Sequence, residues 1–196
     1  MSTQTRTPDT VDLPPLPTSD TEFERFACTY PDLRMERTVN GKVAIMAPAG
    51  GGSGHRNLQI GVQLGAWAEQ DGTGIAFDSS AGFMLPNGAI RSPDAAWLEL
   101  ARWNALTEDQ QEHFLPLCPA FVLELMSPTD SLPETQEKMR EYQANGARLG
   151  WLLVPRLKRV EVYRPEQPVQ ILADPDELSG ENVLPGFTLN LRRVWG

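Results

Sequence analysis

The sequence is poor in cysteine, in basic charge and in long apolar runs, and each shortage excludes something. The two cysteines, Cys28 and Cys118, are isolated and fit no zinc-binding spacing. They offer no disulfide framework, so a reducing cytoplasm is the simplest expected setting. No apolar run approaches the roughly 20 residues of a membrane span. The first residues, MSTQTRTPDT, lack the basic and apolar regions of a secretory signal. Lysine and arginine number 17 against 26 aspartates and glutamates, a net charge of −9. That balance argues against a protein held to nucleic acid by bulk charge. It does not exclude a nuclease, because a carboxylate cluster that binds metal is itself negative and the metal screens it. Local basic groups at Arg156, Lys158 and Arg159, and at Arg192 and Arg193, read as solvated surface.

What is present suits one globular domain: 196 residues, 40% of them hydrophobic. Residues 1–19, with four prolines and little apolar material, read as a flexible tail, and 20–196 as the domain. Ser19 and Glu22 form a capping-box pattern that predicts a helix over about 20–30, with Phe23 and Phe26 inward. Residues 35–47 read as a β-hairpin turning at Asn40-Gly41. The glycine-rich stretch PAGGGSG at 48–54 lacks the ending of a nucleotide P-loop and reads as a flexible entry loop. A helix is expected from about His55 to Gln70, with Leu58, Val62, Leu64 and Trp67 as core positions, and His55 structural or exposed. Short strands follow at 75–79 and 82–85. Trp97 and Trp103 read as packing residues. Another strand pair, at 159–163 and 169–172, places Glu161 outward.

The most informative stretch runs from Pro119 to Pro155. Phe121 to Met126 is a short apolar run that contains one charge, Glu124. Ser127-Pro128 ends it, Pro133 suits a first helical turn, and Asn145-Gly146 stops the helix. Leu149 to Val154 is a second apolar run closed by Pro155, so the whole reads as strand, helix, strand: an α/β unit. Strand alternation puts Phe121, Leu123 and Leu125 on one face and Val122, Glu124 and Met126 on the other. Either this is an edge strand whose second face meets water, or Glu124 is buried and must be paired, hydrogen-bonded or bound to metal.

A second carboxylate lies at Pro93-Asp94, which opens the apolar run Ala95 to Leu98. Pro-Asp also fits a plain turn, but two carboxylates on adjacent strands can converge on a hard divalent cation such as magnesium. Lys138 lies on the helix after Glu124. It is spaced i to i+4 from Glu134, an ordinary surface pair, or it folds back over the sheet to deliver an ammonium group to the site.

These residues resemble the Uma-type putative restriction endonucleases of the PD-(D/E)XK nuclease superfamily. The matching pieces are RSPDAAW at 91–97, PAFVLELMSPTDSL at 119–132, KMREY at 138–142 and NGARLGWLLVP at 145–155, with weaker matches at 35–48 and 184–191. The resemblance implies an α/β (α+β) fold: a mixed β-sheet flanked by helices, a restriction-endonuclease-like core with an N-terminal helix and β-hairpin. It implies a magnesium-dependent (or manganese-dependent) centre that cleaves phosphodiester bonds. Asp94 matches the aspartate of the PD motif and Glu124 the acid of the next strand, both as metal ligands. The superfamily lysine two residues further on is replaced by Met126, and Lys138 on the next helix takes its place. Glu36 matches a further catalytic glutamate on an early element.

The leading expectation is therefore a metal-dependent endonuclease acting on DNA, with no membrane partner and with a homodimer compatible with the sequence. The alternatives are an inactive nucleic-acid-binding or regulatory module of the same fold, motivated by Met126 and the acidic balance, or a hydrolase of small phosphate esters.

Overall fold

The computed structural model describes residues 19–30 and 33–195; the tail expected at the N-terminus lies outside them, apart from Ser19. Ser19 caps helix α1 (Asp20–Thr29) through the expected capping box with Glu22, and Phe23 and Phe26 are buried. Strands β1 (Arg34–Arg37) and β2 (Val43–Met46) form the hairpin. Its turn uses Gly41 at φ +77°, a conformation glycine adopts without steric cost. Helix α2 (Gly51–Asp71) follows. Next come β3 (Gly74–Asp78), β4 (Phe83–Met84), β5 (Ile90–Arg91), β6 (Ala95–Glu99) and two short helices, α3 (Leu100–Asn104) and α4 (Glu108–Glu112). The central unit is β7 (Phe121–Leu125), α5 (Leu132–Ala144) and β8 (Leu149–Val154). Strands β9 (Arg159–Tyr163), β10 (Gln170–Ala173), β11 (Glu177–Ser179) and β12 (Thr188–Asn190) and helix α6 (Arg192–Trp195) complete the chain.

The main sheet has the order β10-β9-β8-β7-β6-β3, in which β7 and β8 are parallel and the other pairs antiparallel. A parallel pair needs a crossover, and α5 supplies it. Strand β7 is therefore interior and buried along its whole length. The edge-strand reading of Glu124 is wrong. Alternation holds: Phe121, Leu123 and Leu125 pack under α2 and the C-terminal segment, against Ile60, Leu64, Trp151 and Phe187. Val122 and Leu152 face the other way, onto Met139 and Tyr142 of α5. Gly150 allows that close approach, since a Cβ there would lie 2.6 Å from the Met139 methyl. A second sheet, ordered β2-β1-β5-β4, packs with α1 around Phe23, Met35 and Ile90.

Three local expectations are corrected. The glycines at 51, 52 and 54 form the first turn of α2 rather than a loop, with Gly50 as an N-cap that makes no side-chain bond. The buried stripe of α2 is Ile60, Leu64 and Ala68, spaced four residues apart, so Leu58 (60% exposed) and Val62 (55% exposed) face solvent. Glu161 is 1% exposed, not outward, because both faces of β9 are covered. Trp97 is buried and Trp103 packs on Phe77, as expected. Among the described residues no helix is long and apolar enough to cross a membrane.

Candidate functional site: a carboxylate centre beneath helix α5

Strands β6 and β7 pair with Ala95 opposite Leu123. One step further along the antiparallel pair, Asp94 meets Glu124. The ladder ends there because the Asp94 carboxylate takes over: its Oδ2 accepts the Leu125 N–H at 2.8 Å. Its Oδ1 accepts from the Asn57 amide of α2 at 3.2 Å. Asp94 is thus held from two layers of the fold at once.

Glu124 faces α5. Lys138 and Tyr142 are one helical turn apart, so they leave the helix on the same side. Both reach the same oxygen: Lys138 Nζ lies 2.8 Å from Glu124 Oε1, and the Tyr142 hydroxyl donates to it at 3.0 Å. Glu124 Oε2 therefore carries no hydrogen bond among the described residues. Lys138 also donates to Glu36 Oε1 at 2.7 Å. It bridges two buried carboxylates, and the surface pairing with Glu134 is not formed. Glu36, on β1, is further held by the Ser92 N–H at 3.0 Å and by Arg91 at 3.1 Å. Arg91 in turn binds Glu141 of α5 at 2.6 Å.

Of the four residues singled out in the sequence, Glu36, Lys138 and Glu124 are joined directly, and Asp94 stands beside Glu124 on the neighbouring strand, bonded to the Leu125 N–H rather than to the other three. Sequence reasoning missed Asn57, Arg91, Tyr142 and Glu141. Tyr142 had a usable signal, its one-turn spacing from Lys138. Arg91 and Glu141 stand inside the matching pieces RSPDAAW and KMREY, close to Asp94 and Lys138, but nothing in the sequence shows that they pair, and Asn57 on α2 had no signal.

The electrostatics separate the three acids. Burial raises the Glu36 pKa, but Lys138 and Arg91, with their hydrogen bonds and that of Ser92, outweigh it and hold the carboxyl below its ordinary value. Burial wins at Asp94 despite the Leu125 N–H and the charges of Lys138 and Arg34, so its pKa is raised. Burial also wins at Glu124, where Lys138 opposes it but the charges of Asp94 and Glu36 add to it, and the pKa rises to about 7. Burial works against the Lys138 ammonium, yet Glu124 and Glu36 together keep it charged. Glu36 is paired with two cations, Lys138 and Arg91, whereas Glu124 shares Lys138 with it and Asp94 has no ion pair among the described residues, so positive charge brought to Asp94 and Glu124 would be stabilising.

Among the described residues no cluster of three or more His, Cys, Asp or Glu side chains is placed to hold a metal. A set with fewer carboxylates still suits one kind of ion. Magnesium keeps several waters and takes one or two carboxylates. Asp94 and Glu124 are two such carboxylates, and beside them Asn57 Oδ1 is buried with no hydrogen-bond partner among the described residues. The donors are all hard oxygens, so the residues present fit a hard divalent cation.

The chain has relatives. A nuclease from Anabaena variabilis ATCC 29413, described as putative and as belonging to DUF820, has a crystal structure that superposes with a TM-score of 0.71. The match covers 82% of this chain and 89% of that one at 17% identity, which shows the shared fold. No curated protein matches the chain. Residues 20–192 match the Uma2 family, described as "Putative restriction endonuclease", and the chain belongs to that family.

Proposed function

We propose that this protein is a metal-dependent endonuclease that hydrolyses DNA phosphodiester bonds, with a PD-(D/E)XK-type centre. Asp94 and Glu124 hold magnesium, or manganese in its place. The observation that carries the reading is geometric: Asp94 and Glu124 stand side by side on adjacent strands, both held by hydrogen bonds, with Lys138 2.8 Å from Glu124 Oε1 and Glu124 Oε2 without a hydrogen bond among the described residues.

A divalent cation bound there would polarise the scissile phosphate and lower the pKa of a coordinated water. The remaining work falls to the protein. Asn57 and the Leu125 N–H fix both oxygens of Asp94. Tyr142 and Lys138 fix Glu124 Oε1 and leave Oε2 for a ligand. Glu36 and Arg91 anchor Lys138, which stands in for the lysine absent at Met126 and stabilises developing phosphate charge as a point cation. Glu36 is then a catalytic-centre residue that positions Lys138 rather than a metal ligand. Residues 20–196 act as the nuclease domain, a homodimer is compatible with it, and the buried free thiol of Cys118 suits a reducing cytoplasm.

The test is cleavage of plasmid and single-stranded DNA with magnesium, with manganese and with a chelator, beside Asp94→Ala and Glu124→Ala. Metal-dependent cleavage lost in both variants is expected. Cleavage retained in both contradicts the assignment.

A further inference from the structure

A cavity of about 450 Å³ lies near the carboxylate centre without being lined by any of its four residues, and nothing in the proposed chemistry uses it. Its apolar walls include Phe77, Phe114, Leu33 and Met35. It joins the centre at two residues. Ser92 lines the cavity, and its N–H holds Glu36 Oε1. Arg34 also lines it, and its charge acts on Asp94. Arg34 and Glu36 lie two apart on β1, so their side chains leave the same face of the strand.

Arg34 has neither a hydrogen-bonded nor an ion-paired side-chain partner among the described residues, and its Nε is buried without a partner. That nitrogen is out of a ligand's reach, so only the terminal guanidinium nitrogens of Arg34 can meet an acceptor from the cavity. A phosphate oxygen is the acceptor whose charge and geometry match a guanidinium.

We propose that this cavity takes one unstacked nucleotide of the substrate strand, with its phosphate on Arg34 and its base against Phe77 and Phe114. The inference rests on the nuclease reading and adds a substrate preference to it. The cavity volume is at the lower end of the ~300–1,000 Å³ range of small-ligand sites, so it admits one base rather than a duplex. Aromatic walls suit the face of any base. Glu24 and Glu112 also line the cavity, where they repel further phosphates and offer acceptors to exocyclic amino groups. The backbone therefore enters only past Arg34. A base must leave its stack to reach this position, so unpaired or single-stranded DNA is preferred over an intact duplex.

The test is binding of labelled single-stranded oligonucleotides to the full chain in calcium, by fluorescence anisotropy. Intact strands are compared with strands carrying one abasic residue at successive positions. Loss of one base in the window that spans the cavity weakens binding on the order of 10-fold. Glu24→Trp, which fills the cavity from the surface of α1, abolishes that difference. Arg34→Gln weakens intact and abasic strands alike and reduces the salt slope by about one. Unchanged thermal unfolding of both variants shows that they are folded. Equal affinity for intact and abasic strands at every position, in a protein that still cleaves DNA with metal, overturns the cavity assignment and leaves the nuclease reading standing. Absence of both binding and cleavage overturns the two together.

Discussion

Glu124 and Glu161 lie on the same face of the main sheet, each paired in register with Leu152 of the strand between them. Both are buried beneath α5, yet they are treated differently. Glu161 is saturated: Gln136 donates to both its oxygens at 3.0 Å, Arg159 to one at 2.6 Å and Tyr163 to the other at 2.7 Å. Glu124 receives its two partners on one oxygen and keeps a raised pKa. The first arrangement is a finished structural anchor. The second leaves one oxygen without a hydrogen bond among the described residues, which is what the proposed metal role requires.

That contrast gives a first prediction. Glu161→Ala leaves Arg159 and Tyr163 without their buried acceptor, and loss of one partner from such a network costs about 3–5 kcal/mol. Urea unfolding should show this loss, while specific cleavage activity per folded molecule stays near wild type.

Among the described residues, Lys138 is the only cation that touches both Glu36 and Glu124. In Lys138→Ala, two buried carboxylates face each other with one compensating charge removed, again a destabilisation of about 3–5 kcal/mol in the absence of metal. Magnesium should restore part of that stability, because it would bring positive charge to the same acids. Cleavage should remain low even when the fold is restored, and thermal unfolding beside plasmid cleavage separates the two effects.

The pH dependence has a definite sign. Glu124 in the folded chain keeps its proton to about pH 7, against an ordinary value of 4.5. Between those values the folded state binds more protons than the unfolded one, so this group makes stability fall as pH rises. Glu36 works in the opposite sense: its lowered pKa gives stability present above its ordinary value and lost as pH falls through the folded one. Urea unfolding in chelator should therefore show wild type losing stability relative to Glu124→Gln between about pH 4.5 and 7. A gain across that window contradicts the burial argument.

Tyr142→Phe removes a donor to Glu124 Oε1 and leaves Lys138 alone on that oxygen. The expected cost is on the order of 1–2 kcal/mol. Loss of a bond to the ionised carboxylate also raises the Glu124 pKa further, so the metal concentration needed for half-maximal cleavage should rise more than the rate at saturating metal falls.

How much of this was legible in the sequence depends on how local the information is. The β7–α5–β8 unit was readable because Pro128, Pro133, Gly146 and Pro155 punctuate it and because alternation along β7 is independent of distant residues. The register of α2 was not readable. A run of glycines looks like a loop, and the stripe Leu58–Val62 competes with Ile60–Leu64–Ala68 at the same helical spacing; only the sheet beneath decides between them. Glu161 was misread for a related reason, since alternation gives the face of a residue but not whether another layer covers it. Asp94, Glu124, Lys138 and Glu36 were identified from strand patterning and family resemblance. Of their partners, Asn57 comes from α2 and the Arg91–Glu141 pair joins β5 to α5, and such contacts exist only once the chain has folded.

The most direct test of the central claim is thermal unfolding of the full chain titrated with magnesium and manganese, wild type beside Asp94→Asn and Glu124→Gln. A saturable metal-dependent rise in Tm should appear in wild type and vanish in both variants, each of which remains folded. A rise that persists unchanged in both would place any bound metal elsewhere and contradict the assignment of Asp94 and Glu124 as its ligands.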